Sequence, residues 1–164
     1  MYRFRFLITA VLLILFITSD CHRKKIFNGL TFSYKFDHSI HIESVEDALA
    51  WCADNIIYKT DRESTGVIDY WQSPEQTYKL RTGDCEDFCF LLMYLMKEKL
   101  NLSPKFVIVQ KIDNNECHAV VELGDKWYES TGGFEANKNH YRLKATYEYI
   151  DALWTTTVNH IGVF

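Results

Sequence analysis

The turn Arg81-Thr82-Gly83-Asp84 leads straight into an apolar run that this chain must bury. From Cys85 to Leu100, Phe88, Phe90, Leu91, Leu92, Met93, Tyr94, Leu95 and Met96 cover nearly the whole circumference of a helix. A helix that is apolar on most sides is stable only when it is surrounded, so the run predicts a central helix. Lys97, Glu98 and Lys99 return it to solvent, and Asn101 and Pro104 end it. The other elements have to wrap around this rod.

Downstream the period changes from helical to alternating. Residues 105–112 are rich in β-branched side chains and predict a strand, as do 117–123 and 126–131. Asp113-Asn114-Asn115 is a turn, and Gly124-Asp125 is a two-residue hairpin connection. Gly132-Gly133 ends the third strand, Tyr141 to Leu143 predict a short strand, and Tyr147 to about Thr156 predict a helix. Upstream, Ser44 is a candidate N-cap with Glu46 and Asp47 in the first turn. Val45, Ala48, Leu49, Cys52, Ile56 and Ile57 recur at helical spacing, which predicts a helix over 44–58 with Cys52 in its packing stripe. Residues 61–66 are polar and turn-like, and Ser73-Pro74 mark a helix or turn entry. Helices first and an antiparallel sheet second define the α+β class, and residues 22–164 suffice for one such domain.

Residues 1–21 read differently. Arg3 and Arg5 precede an apolar stretch, Phe6 to Ile17, broken only by Thr9. It is shorter than the roughly 20 residues a spanning helix needs. It fits the apolar region of a secretory signal, or a membrane anchor, and predicts an exported, periplasmic or cell-envelope protein. Cys21 is a candidate lipoprotein site, although Asp20 stands where a small residue is expected. Export permits disulfides among the remaining cysteines, 52, 85, 89 and 117, without fixing their pairing. The net charge is −4 and basic runs are confined to the N-terminal end, which argues against nucleic-acid binding. Residues 32–36 alternate as a short strand would, and His38 and His41 read as loop residues rather than a metal pair.

Cys85 follows a glycine turn and opens the buried helix. Free N–H groups and the positive helix end favour a thiolate there, while Asp84, Glu86 and Asp87 oppose one. His118 opens the second strand. If Gly124-Asp125 is the hairpin loop, Leu123 pairs with Lys126 and Val120 with Glu129. Glu129 then shares a face with His118, one diagonal away, at about 7 Å between backbones. Glu122 shares that face but lies about 13 Å along the strand. Nucleophile, base and orienting carboxylate make the set Cys85, His118 and Glu129. Oxyanion donors would be the Cys85 backbone N–H or a side chain between Tyr70 and Gln76, with Trp71 and Gln72 preferred. Trp127 shares the His118 face as a candidate cleft residue. A zinc site from Cys85, Cys89, Cys117 and His118 is disfavoured, because Cys117 and His118 point to opposite faces of one strand.

The runs Trp71-Gln72-Ser73-Pro74-Glu75-Gln76-Thr77 and Gly83-Asp84-Cys85-Glu86-Asp87-Phe88, followed by His118-Ala119-Val120 and Trp127-Tyr128-Glu129, resemble the transglutaminase-like superfamily. The chain looks closest to the bacterial transglutaminase-like cysteine peptidases, from about residue 44 onward. The resemblance implies a papain-like fold, a Cys-bearing helix on an antiparallel sheet, and the roles already given to Cys85, His118 and Glu129. Glu129 departs from the usual Asp. A calcium-dependent branch of the family implies Asp84 and Glu86 as ligands, oxygen donors that suit a hard cation. Otherwise the two acids serve the helix start. No other cofactor is implied. The expected activity is hydrolysis of an amide or peptide bond in a protein or peptide outside the cytoplasm. The alternatives are acyl transfer to an amine, meaning cross-linking, and a non-catalytic binding module that keeps the fold.

Overall fold

The computed structural model describes residues 40–149. The expected leader over 1–21, Cys21, the strand at 32–36 and His38 lie outside them, as does the helix expected beyond residue 149. In chain order the elements are α1 (Val45–Asn55), β1 (Ile57–Tyr58), α2 (Asp61–Ser64), α3 (Pro74–Leu80), β2 (Thr82–Gly83), α4 (Cys85–Leu100), β3 (Lys105–Lys111), β4 (Cys117–Leu123), β5 (Lys126–Glu129), β6 (Phe134–Ala136) and β7 (Tyr141–Glu148). A five-stranded antiparallel sheet runs in the order β6-β5-β4-β3-β7.

α4 is the expected rod. Phe88 to Met93, Leu95 and Met96 are buried, each at most 1% exposed. α1 and α3 pack on α4, and its other side lies on the sheet, against Phe106, Ala119, Val121 and Tyr128. Val107, Val109, Val120, Trp127 and Ala136 alternate with those residues and form a second cluster on the far face of the sheet, with Tyr141 against it. The sheet is therefore apolar on both faces at its centre, which is why β3 carries the unbroken apolar run Phe106 to Val109 and β4 the run Ala119 to Val121.

The hairpin register is the expected one, with Leu123 opposite Lys126, Glu122 opposite Trp127 and Val121 opposite Tyr128. Gly124 takes φ 64°, the positive value that the first position of a tight two-residue connection calls for. Three element boundaries differ from expectation. The helix predicted over 44–58 stops at Asn55, because Ile57 and Tyr58 pair in parallel with Thr82 and Gly83. β-branched side chains accept either state, and here a long-range partner decides. The third strand closes at Glu129 rather than 131, as Ser130 to Gly133 form a turn in which Gly133 N–H bonds the Glu129 carbonyl at 2.9 Å. Tyr147 and Glu148 continue β7 instead of opening a helix. They pair with Phe106 and Lys105, and Tyr147 lies 6.3 Å, centroid to centroid, from the Phe106 ring. The four-residue α2 and strand β6 were not expected from the sequence.

Candidate active site

Four segments converge where α4 begins. Ser73 caps α3 by accepting from Gln76 N–H at 3.2 Å, with Pro74 in the first turn. Arg81 ends it in the left-handed region at φ 57° and hands the chain to β2. Gly83 passes so close to Asp87 that a Cβ there would stand 2.6 Å from the Asp87 Cβ. Asp87 is fully buried and accepts from the backbone N–H of Gln72 at 2.6 Å and of Asp84 at 3.3 Å. One carboxylate thus ties the start of α4 to the segment before α3, and Cys85 sits at that junction.

The Cys85 thiol is half-buried and donates to Glu86 Oε2 at 3.0 Å. Burial, then the charges of Glu86 and Asp84, push it well above the ordinary cysteine range. The acidic neighbours prevail over the positive helix end at this site. Among the described residues, no hydrogen bond joins Cys85 to His118.

His118 and Glu129 do meet. Nε2 and Glu129 Oε2 are 2.5 Å apart, and both side chains are buried, at 8% and 5% residue exposure. Thr131 gives Glu129 Oε1 its hydroxyl at 2.6 Å and its backbone N–H at 3.4 Å. Tyr141 gives Oε2 its hydroxyl at 3.3 Å. Burial raises the Glu129 carboxyl, but the bonds from His118 and Thr131 outweigh it and hold the group below the usual glutamate range. An ionised Glu129 accepts only, so Nε2 carries the proton and Nδ1 is left as the basic nitrogen. Nδ1 has no hydrogen-bond partner among the described residues.

α4 touches the segment that carries Glu129 at Ser130. Cys89, one turn along α4 from Cys85, lies with its Sγ 3.3 Å from Ser130 Oγ, and Ser130 follows Glu129 directly. Because β5 ends at Glu129, β4 has no neighbour on that side at His118. The strand register pairs His118 with Val109, which puts its side chain on the face of the sheet away from α4.

The other expected residues take varied positions. Gln72 is 1% exposed, and both its side-chain Nε2 and Oε1 lack partners among the described residues. Trp71 belongs to the core, its ring 5.4 Å from Phe90 and 5.5 Å from Phe106. Trp127 packs on the far face of the sheet and donates Nε1–H to Glu122 Oε2 at 2.8 Å, which occupies the carboxylate that the spacing also excluded as a partner of His118. Cys117 is disulfide-bonded, and Cys52 and Cys89 are buried free thiols. His41 is exposed and lies 3.1 Å from Glu43.

Asp84 and Glu86 stand among more carboxylates than the motif names. Ligand atoms of Asp61, Asp69 and Glu86, and of Asp61, Asp84 and Asp87, each lie within 4.8 Å of one another. Asp84 Oδ1 is buried without a hydrogen-bond partner. Burial, then Glu86 and Asp87, push the Asp84 carboxyl up to about 10. A purely oxygen donor set with an orphaned buried carboxylate oxygen fits a calcium ion. Asp61 opens the short helix α2 and Asp69 lies beyond its end, and neither was legible as a ligand. Asp87 is visible in the motif, but the sequence marks it only as an acidic neighbour of Cys85.

A Cys-bearing helix packed on a five-stranded antiparallel sheet is the α+β architecture of transglutaminase-like structures. The chain belongs to the transglutaminase-like domain family, whose model matches residues 29–128. No curated protein shows significant sequence similarity to it. Its fold is similar to calcium-bound Legionella pneumophila LapG, with TM-score 0.53 and 16% identity over 63% of this chain and 62% of that one. The chain thus spans about 62% of the length of that structure. A candidate cysteine protease from Cytophaga hutchinsonii matches at TM-score 0.48 and 24% identity, over 66% of this chain and 38% of that one.

Proposed function

We propose that the protein is a cysteine hydrolase that cleaves an amide or peptide bond in a protein or peptide substrate outside the cytoplasm. The observation that carries this reading is the buried His118–Glu129 pair, which holds Nε2 and leaves Nδ1 as the nitrogen able to accept a proton. Cys85 leaves Glu86 and gives its proton to Nδ1, and its sulfur attacks the substrate carbonyl carbon. The oxyanion is met by the Cys85 backbone N–H and by the Gln72 Nε2–H, which is buried and uncommitted. As the C–N bond breaks, the imidazolium returns its proton to the departing amine. Water then gives a proton to Nδ1, attacks the thioester and releases the acid, and the sulfur recovers its proton from His118. Glu129 holds the tautomer and balances the imidazolium charge.

Calcium held by Asp84, Glu86 and the neighbouring Asp61, Asp69 and Asp87 would neutralise the negative field that now opposes a Cys85 thiolate. The chain's own residues do the rest.

A second reading, a binding module without activity, is favoured by one contact: the Cys85 thiol donates to Glu86 rather than to His118. Both are tested by labelling with iodoacetamide at neutral pH, with and without calcium, followed by mass mapping. A hydrolase labels at Cys85 faster than at Cys52 or Cys89, and His118→Ala slows that labelling at least tenfold. Equal labelling of all thiols, indifferent to His118, supports the binding module. A primary amine offered with a peptide substrate separates hydrolysis from acyl transfer, since only transfer incorporates the amine.

A further inference from the structure

Tyr141 stands at the start of β7, across the sheet from β5, and nothing in the motif points to it. Its register partner is Lys111, two residues beyond Val109, which pairs with His118. Side chains two apart share a face, so Tyr141 and His118 project to the same side of the sheet. There the two rings run nearly parallel, 17° apart with centroids at 6.3 Å, and the Tyr141 hydroxyl lies 3.3 Å from Glu129 Oε2. That oxygen is the one that holds His118 Nε2. Thr131 serves the other oxygen. Trp127 closes the arrangement from behind, 6.3 Å from the Tyr141 ring.

We propose that Tyr141 is a positioning residue for the His118–Glu129 pair, its hydroxyl anchoring the carboxylate oxygen that binds Nε2 and its ring lying along the imidazole. This rests on the base role given to His118 above. Glutamate has one more side-chain bond than the aspartate usual at this place and more ways to swing off the imidazole. Two anchors, Thr131 on Oε1 and Tyr141 on Oε2, remove that freedom. Among the described residues, few charged and titratable groups face the pair. From β7 comes Tyr141, which Asp113 also influences; from α4 comes Cys89, which senses Glu129. On the same face farther along, Glu122 is bonded to Trp127, and Lys138 Nζ sits 4.9 Å from the Trp127 ring centre.

The test follows Glu129 by carboxyl-carbon NMR titration and the His118 tautomer by nitrogen NMR in the full chain. It compares wild type, Tyr141→Phe, Tyr141→Leu and Thr131→Val. Tyr141→Phe keeps the ring and loses one donor to the carboxylate, so the Glu129 midpoint rises by about half a unit or more. Tyr141→Leu also frees the ring, and the neutral imidazole becomes a mixture of tautomers in place of a single Nε2–H form. Thr131→Val calibrates the loss of one donor from the other oxygen. If it moves the Glu129 midpoint while Tyr141→Phe leaves both midpoint and tautomer at their wild-type values, Tyr141 is packing only and the proposal falls. Should Cys85 labelling prove indifferent to His118 while Tyr141→Phe still moves Glu129, the base role fails and the positioning contact stands.

Discussion

At the scale of single residues, Glu129 carries the sharpest expectation. It takes His118, Thr131 and Tyr141 on two oxygens while buried, so its charge is worth more there than in water. Glu129→Gln keeps the shape, removes the charge and no longer fixes which imidazole nitrogen is protonated. The rate of iodoacetamide labelling at Cys85 is expected to fall roughly a hundredfold. The same residue gives an acid-side stability change. Its folded value lies below its unfolded value, so its contribution is complete above the unfolded value of about 4.3 and is lost as pH falls through the folded one. Urea unfolding measured between about pH 6 and pH 3 should show this loss in wild type and lack it in Glu129→Gln. Hairpin parity and the motif Trp127-Tyr128-Glu129 brought Glu129 to His118 in the sequence. Tyr141 was hidden because it reaches the pair from a strand that is a neighbour only through β3.

At the scale of elements, α4 holds the molecule together. Leu92 is fully buried in the middle of it, and Leu92→Ala is expected to cost about 2–5 kcal/mol, read from the urea midpoint at constant slope. Gly83→Ala tests the junction instead of the core. The added methyl overlaps the Asp87 Cβ, so either β2 or the start of α4 must shift. The expected outcome is a smaller loss of stability than Leu92→Ala gives, with a larger loss of Cys85 labelling. The reverse order would mean that Asp87 does not hold the site. α4 and the β4–β5 hairpin were legible because each is set by local pattern and turn chemistry. The end of α1, the end of β5 and the course of β7 were not, since a distant strand or a turn decides each of them.

At the scale of the whole molecule, Asp61, Asp69, Asp84, Glu86 and Asp87 gather carboxyl groups at one end of α4. Asp84 titrates far higher in the folded chain than in the unfolded one. The part of the stability that it governs is therefore complete below about pH 4 and is lost as pH rises toward its folded value. A calcium ion bound there offsets that loss by about 2.7 kcal/mol at a hundred times its dissociation constant. Calcium should raise the melting temperature clearly at neutral pH and hardly at pH 4, and Asp84→Asn should reduce the rise. A melting temperature indifferent to calcium at every pH would show that these acids serve only the helix start.

By itself the sequence determined the buried helix, the α+β order, the register of the β4–β5 hairpin and the three residues proposed for chemistry. All of these follow from periodicity, turn residues and motif spacing, which act over a few residues at a time. Only the tertiary structure decided what surrounds them: the Asp87 clamp on Gln72, the carboxylates of Asp61 and Asp69, the Cys89–Ser130 contact and the hydroxyl of Tyr141 on Glu129. Those contacts join residues far apart in the chain, and their partners are chosen by packing around α4 rather than by any pattern along the sequence.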